Sequence, residues 1–374
     1  MPSLDPLPPV SVDGIELVRV RMQVATPLRT AAGVRRERDV LLVHVRAKES
    51  EGWAECVAEP EPTYSSEFTD AAVTVLVDHL LPRAAAGPLG DAVALGPHLD
   101  VVRGHPMARA ALELAVLDAQ LRAAGRSLSE WLGATATHVA AGAALGLHDD
   151  VDDLLAEADA ALALGARRLR VKIAPGRAFA PLAALRAHVG PTLLLQADAN
   201  GSFTLDDPEL ERLDDVGLAC LEQPLDPTDL MGHAALVHRL STPICLDEPL
   251  TSLGAIEAAI ALGACEVVCL KPARVGGWIH ARAVHDRCVE LDVPVWVGGM
   301  LETGVGRAAN LAVAALPGMS LPPDLDPRGR FEPDLADPRR PEDGLVAVPT
   351  GPGTDAIPDE SLLADATIVG AWSP

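Results

Sequence analysis

Between residues 13 and 57 apolar and polar positions alternate, in IELVRVRMQV, DVLLVHVRA and GWAECV, with Pro, Gly and charged clusters between them. A period of two puts every second side chain on one face, so this stretch predicts an antiparallel meander. The period then lengthens. Residues 68–81 and 106–124 read as helices, and the second, PMARAALELAVLDAQLRAAG, runs into a glycine where a C-terminal cap is expected. These elements predict an α+β lobe over residues 1–137 that ends in a connecting helix.

From 138 to 324 short apolar runs are spaced by Ala-rich amphipathic segments, the strand–helix alternation of a parallel sheet. VAAGAALGL, RRLRVKI, TLLLQAD, LACLEQP, TPICLDEP, EVVCLKP, VPVWVGG and MSLPPD make eight runs, and eight parallel strands close a barrel. The expected fold class is α/β, a modified TIM-type (β/α) barrel with an N-terminal α+β domain. A doubly wound open sheet is the competing arrangement. The last segment, 325–374, opens with the Pro- and Asp-rich LDPRGRFEPDLADPRRPEDG and is expected to pack back on the first lobe.

Composition narrows the partners. The 374 residues carry 30 Lys+Arg against 53 Asp+Glu, a net charge of −23, so phosphate backbones and anionic membranes are repelled and no nucleic-acid partner is expected. Hydrophobic residues make up 49% and aromatics 3%, which predicts a sizeable core built from Ala, Val and Leu. The N-terminal MPSLDPLPPVSVD lacks the basic start and apolar run of a secretory signal. Every apolar stretch breaks before the roughly 18 residues of a spanning helix, so no membrane partner is expected. The six cysteines sit mostly in apolar runs without CxxC pairs, which reads as buried reduced thiols in a cytoplasmic protein.

Five runs end in charge: Lys172, Asp198, Glu222, Asp247 and Lys271. The steps from 172 to 198, 222, 247 and 271 are 26, 24, 25 and 24 residues, one strand–helix unit each, so all five are expected on the same C-terminal rim. Three acids at adjacent strand ends repel one another unless a cation sits among them. Carboxylate ligands without His or Cys favour Mg²⁺, with Mn²⁺ as a substitute. The lysines lie on the strands flanking the acids, on opposite sides of a bound substrate. A lysine beside a metal and a second cation is pulled toward neutrality and can act as a base. This set suits removal of a proton α to the carboxylate of a small-molecule substrate.

The segments AAGAALGL, RLRVKIAPG, LLLQADANGSFT, LACLEQPL, TPICLDEPL, VVCLKPARVGG and VWVGGMLETGVGRAAN resemble the enolase superfamily, specifically its o-succinylbenzoate synthase and N-succinylamino acid racemase branch. The likeness extends to TPLRTAAG, GWAECVAEPEPTYSSEFTD and VPTGPG. It implies Asp198, Glu222 and Asp247 as metal ligands, Lys172 and Lys271 as the acid/base pair, Glu248 behind the ligands, Asn200 beside the substrate, and Arg170 in place of the first lysine of the usual Lys-x-Lys; Arg274, by its spacing alone, reads as a functional neighbour of Lys271 or as a loop-packing residue. It also implies Gly299, Met300 and Leu301 near the substrate, and Tyr64 in a first-lobe loop that caps the barrel mouth. Homo-oligomers are common among such barrels. Three positions depart from the family pattern: Arg170 stands where a lysine is usual, Ala144 where relatives carry a serine that can contact a succinyl group, and Pro249 where serine is common.

The activity implied first is dehydration of a succinyl hydroxycyclohexadiene carboxylate to o-succinylbenzoate, for menaquinone synthesis. Racemisation of N-succinylamino acids is the alternative, and both need the same five residues. Muconate cycloisomerisation, dipeptide epimerisation and a non-catalytic scaffold rank below them. Two weaker signals remain. Gly304-Val305-Gly306-Arg307-Ala308-Ala309 imitates a nucleotide fingerprint but reads as barrel-loop backbone, and the eleven histidines show no triad or HExxH spacing. Arg274, three residues beyond Lys271, is expected to disfavour the charged form of that lysine.

Overall fold

The computed structural model describes residues 4–30 and 33–374; Ala31 and Ala32 of TPLRTAAG and the first three residues lie outside the described residues. Strands β1 (Val12–Thr30), β2 (Gly33–Ala47) and β3 (Glu51–Cys56) form the expected antiparallel meander. Both faces of its sheet are buried. Leu41, Val43 and Val45 join one apolar cluster, while Val40 and Leu42 join another with Phe331 and Leu335 of the last segment. This is why β2 reads as DVLLVHV, a nearly continuous apolar run.

The helix Pro106–Ala123 covers the first face. Its backbone comes so close to β3 that a Cβ on Gly52 would sit 2.0 Å from the carbonyl oxygen of Ala115, so only glycine fits there. The helix ends as its sequence announces: Gly125 takes φ +66° and the Arg126 amide reaches back to the Leu121 carbonyl at 2.9 Å. The stretch expected as a helix over 68–81 begins at Thr69, widens over Leu76–Leu80 and continues to Ala85.

VAAGAALGL divides in two. Strand β4 (His138–Ala140) pairs antiparallel with β12 (Leu345–Ala347), and β5 (Gly142–Leu145) opens the parallel sheet. There follow β6 (Arg168–Lys172), β7 (Leu194–Asp198), β8 (Cys220–Glu222), β9 (Ile244–Leu246), β10 (Val267–Leu270) and β11 (Val295–Val297), side by side in chain order from β5 to β11.

The eighth run corrects the sequence reading. MSLPPD is not a strand, since Pro322 and Pro323 have no amide to donate to a ladder. It makes single bridges instead, Met319 to Val295 on one edge and Asp324 to Gly142 on the other. Those bridges link the two edges, so the open-sheet alternative does not hold. The last segment returns to the first lobe, where β13 (Thr367–Trp372) adds to the free edge of β1. Among the described residues no helix is long and apolar enough to cross a membrane.

Candidate active site

All parallel strands of a barrel end at the same rim, and their side chains alternate inward and outward. Lys172, Asp198 and Glu222 are the last residues of β6, β7 and β8 and are directly paired, Lys172 with Asp198 and Asp198 with Glu222. Asp247 and Lys271 follow the last residues of β9 and β10. The five residues meet as expected and are buried, the lysines at 7% and 4% exposure.

On one flank the Lys172 ammonium donates to Asp198 Oδ2 at 2.6 Å and to Asn200 Oδ1 at 2.8 Å. Asn200 in turn donates to Glu248 at 3.0 Å, so this lysine is oriented by a chain of barrel residues. Burial, then repulsion by Asp247 and Asp198, pushes Glu248 up to about 7. Arg170, two residues before Lys172 and so on the same inward face, donates to Asp198 and Glu222 and across to Asp324.

On the other flank Lys271 donates to Asp247 at 2.8 Å and to the Tyr64 hydroxyl. Tyr64 comes from the first-lobe loop; its hydroxyl also accepts from Arg274 and donates to Asp247 at 2.9 Å. Arg274 donates to Asp247 as well. The expected influence of Arg274 on Lys271 is present in sign but does not prevail. Burial lowers Lys271, Asp247 and then Tyr64 raise it, Arg274 opposes them, and the net lies well above the ordinary lysine value. Arg274 shares the Asp247 carboxylate with Lys271 rather than facing the lysine alone.

The acids crowd one another even with these cations beside them. Burial first, and then the charges of Asp198 and Asp247, push Glu222 up to about 8 despite Arg170. One oxygen each of Glu222 and Asp247 and the sulfur of Cys269 lie within 4.8 Å of one another, all buried. Oxygen donors converging at one rim, with Asp198 beside them, fit a hard divalent ion. Cys269 was missed as a neighbour of this set. It lies two residues before Lys271, so strand periodicity places it one layer beneath.

A cavity of about 300 Å³ opens above the rim, lined by Tyr64, Lys172, Lys271, Gly299, Met300 and Leu301 among others. Leu301 reaches it from the left-handed region, φ +59°. Ala144 lines the same cavity, and its carbonyl accepts from Arg330 at 2.6 Å and Arg328 at 2.8 Å. Asp324 was also missed as a site residue. It binds Arg168 at 2.5 Å and Arg170, and accepts from the Gly299 amide at 3.1 Å. Its signal was legible, since it is the acid that ends MSLPPD.

The fingerprint-like GVGRAA starts the helix Gly304–Ala314, whose N-terminal amides already meet carboxylates. Gly304 donates to Asp334 at 2.7 Å and Gly306 to Glu55 at 3.3 Å. A Cβ on Gly304 would lie 2.4 Å from the Ala336 carbonyl oxygen, so close packing accounts for that glycine.

Residues 14–133 match the family described as mandelate racemase / muconate lactonizing enzyme, N-terminal domain, and residues 153–361 the one described as enolase C-terminal domain-like. The chain is 44% identical to an N-succinylamino acid racemase of Amycolatopsis sp, over 97% of this chain and 99% of that protein. It is 37% identical to an o-succinylbenzoate synthase of Geobacillus stearothermophilus, over 92% of each. A solved enolase superfamily member from Listeria innocua superposes with a TM-score of 0.90 at 32% identity, covering 96% of this chain and all of that one. With two matched domains and relatives aligned along nearly its whole length, the chain is an enzyme that belongs to the enolase superfamily, in the branch that holds o-succinylbenzoate synthases and N-succinylamino acid racemases.

Proposed function

We propose that the protein is a cytoplasmic, Mg²⁺-dependent o-succinylbenzoate synthase that dehydrates a succinyl hydroxycyclohexadiene carboxylate. In this reading residues 1–137 cap the mouth of a catalytic barrel, 138–324, and residues 325–374 fasten the two together. The observation that carries it is the pair of buried lysines on opposite flanks of three carboxylates beneath one cavity. Asp198, Glu222 and Asp247 would hold the ion, which would supply the positive charge that makes the hydrogen α to the substrate carboxylate more acidic. Lys172, aimed by Asp198 and Asn200, takes that proton and returns one to the departing hydroxyl. Lys271, hydrogen-bonded to Asp247 and Tyr64 on the opposite flank, serves as an ammonium that balances the developing negative charge. Gly299, Met300 and Leu301 shape the wall against the rest of the substrate, and Ala144 adds a small apolar side chain to the same wall.

Racemisation of N-succinylamino acids is a second activity of the same site. The 44% identity to a racemase supports it, and so does the placement of a lysine on each flank. Here the lysines take turns as base and acid. The test is kinetics with the diene precursor beside both enantiomers of an N-succinylamino acid, with Cα exchange followed in D₂O. Turnover of the diene supports the synthase, exchange of both enantiomers adds the racemase, and inertness toward all three overturns the reading.

A further inference from the structure

The wall residue Leu301 sits in a conformation that side chains rarely adopt, φ +59°, so something must hold the 299–302 loop in place. Part of the answer is local. Glu302 accepts from the Met300 amide at 2.8 Å and from Asn310 at 2.8 Å. The rest comes from outside the barrel. Glu55, on β3 opposite Leu42 and only 1% exposed, points one carboxylate oxygen at the end of this loop. That oxygen accepts from the Thr303 amide at 2.9 Å, the Thr303 hydroxyl at 2.7 Å and the Gly306 amide at 3.3 Å.

Gly306 packs between the two acids: a Cβ there would meet the Glu302 side-chain methylene at 2.9 Å on one side and Glu55 Oε2 at 3.0 Å on the other, so only glycine lets both approach. The first-lobe sheet thus grips the residue that follows the cavity wall, with 248 residues of chain between the partners.

We propose that Glu55 is a positioning residue for substrate binding, through which the first-lobe sheet fixes the 299–302 loop and with it the Leu301 wall. Its second oxygen has no hydrogen-bond partner although buried, so the whole grip rests on the oxygen that faces Thr303 and Gly306. The substrate used to read this out rests on the proposed function, but the loop's protection does not.

The test compares Glu55→Ala, Glu55→Gln and Thr303→Val in the full chain with Mg²⁺. Loss of an acceptor for three donors should raise KM of Glu55→Ala by about tenfold or more, with kcat within about threefold. Hydrogen exchange of the peptide spanning 299–306 should speed up in the same variant. Glu55→Gln keeps an acceptor oxygen and should recover much of the KM, and Thr303→Val should show a smaller rise if Glu55→Ala fails to fold. An unchanged KM with unchanged loop exchange in a folded variant overturns the proposal. So does an equal loss of kcat and of melting temperature with no KM effect. If the wild type turns over neither substrate, the proposed function falls while loop exchange still decides the role of Glu55.

Discussion

The two lysines stand on flanks built differently. Among the described residues the hydrogen-bond partners of Lys172 come from the barrel: Asp198 ends the next strand and Asn200 follows two residues on. Lys271 depends on the first lobe as well, because Tyr64 reaches over from the 57–68 stretch to join Lys271, Arg274 and Asp247. Strand ends and the turns just after them therefore set one base, while the other is completed only when the lobes are docked. A reaction that needs one base can run on the self-contained flank, and a reaction that needs two must also keep the composite flank in order.

Removing the ion should erase this contrast together with activity. With chelator, turnover of every substrate is expected to vanish, and Asp247→Asn should weaken metal binding by neutralising one ligand. Full turnover in metal-free protein contradicts the assignment of the three acids. Next in size are the lysines. Lys172→Ala should cost the roughly 10²–10⁴ that general base catalysis supplies and stop Cα exchange of one N-succinylamino acid enantiomer. Lys271→Ala should stop exchange of the other. Loss of both enantiomers' exchange in each variant would mean that the flanks do not act as separate bases.

Tyr64→Phe sharpens the comparison. The hydroxyl accepts from two buried cations and donates to a buried carboxylate, so its removal should cost about tenfold or more on the Lys271 face. Dehydration should suffer less than exchange by Lys271. Equal losses on the two faces would show that Tyr64 shapes the whole mouth rather than one flank.

The parts of this site that were legible in the sequence are those carried by strand ends. An apolar run that ends in charge, repeated at one strand–helix unit, places Lys172, Asp198, Glu222, Asp247 and Lys271 on a rim before any contact is known. Asp324 obeys the same rule but ends a run whose prolines keep it from being a strand, which hides its place on the rim. Cys269 sits one layer down from Lys271, and period-two reasoning extended below the rim would have reached it. Glu55 had no such signal. Its partners lie 248 residues away, and only the docking of the two lobes brings them together. The pull of Arg274 on Lys271 was foreseen from spacing, whereas the stronger pull of Asp247 needed the side-chain geometry.

The smallest expected effect concerns Arg274, and its sign can be worked out. Asp247 raises Lys271 and Arg274 lowers it, so the guanidinium moderates a pairing that would otherwise lock the ammonium more firmly. Arg274→Gln removes that moderation, and Lys271 should lose its proton only at higher pH than in the parent. Dehydration asks Lys271 only to remain a cation, so its rate should hardly move. Racemisation asks it to accept a proton, and the free amine becomes scarcer at neutral pH. Exchange of the enantiomer served by Lys271 should therefore fall roughly three- to tenfold near pH 7 and recover as pH rises, in line with a modest charge–charge effect in a buried site. Exchange by Lys172 should be unaffected. The measurement is the pH profile of Cα exchange for each enantiomer separately. A loss that is equal for both enantiomers, and equal for dehydration, would assign Arg274 to holding Tyr64 and Asp247 in place instead of tuning one of the two bases.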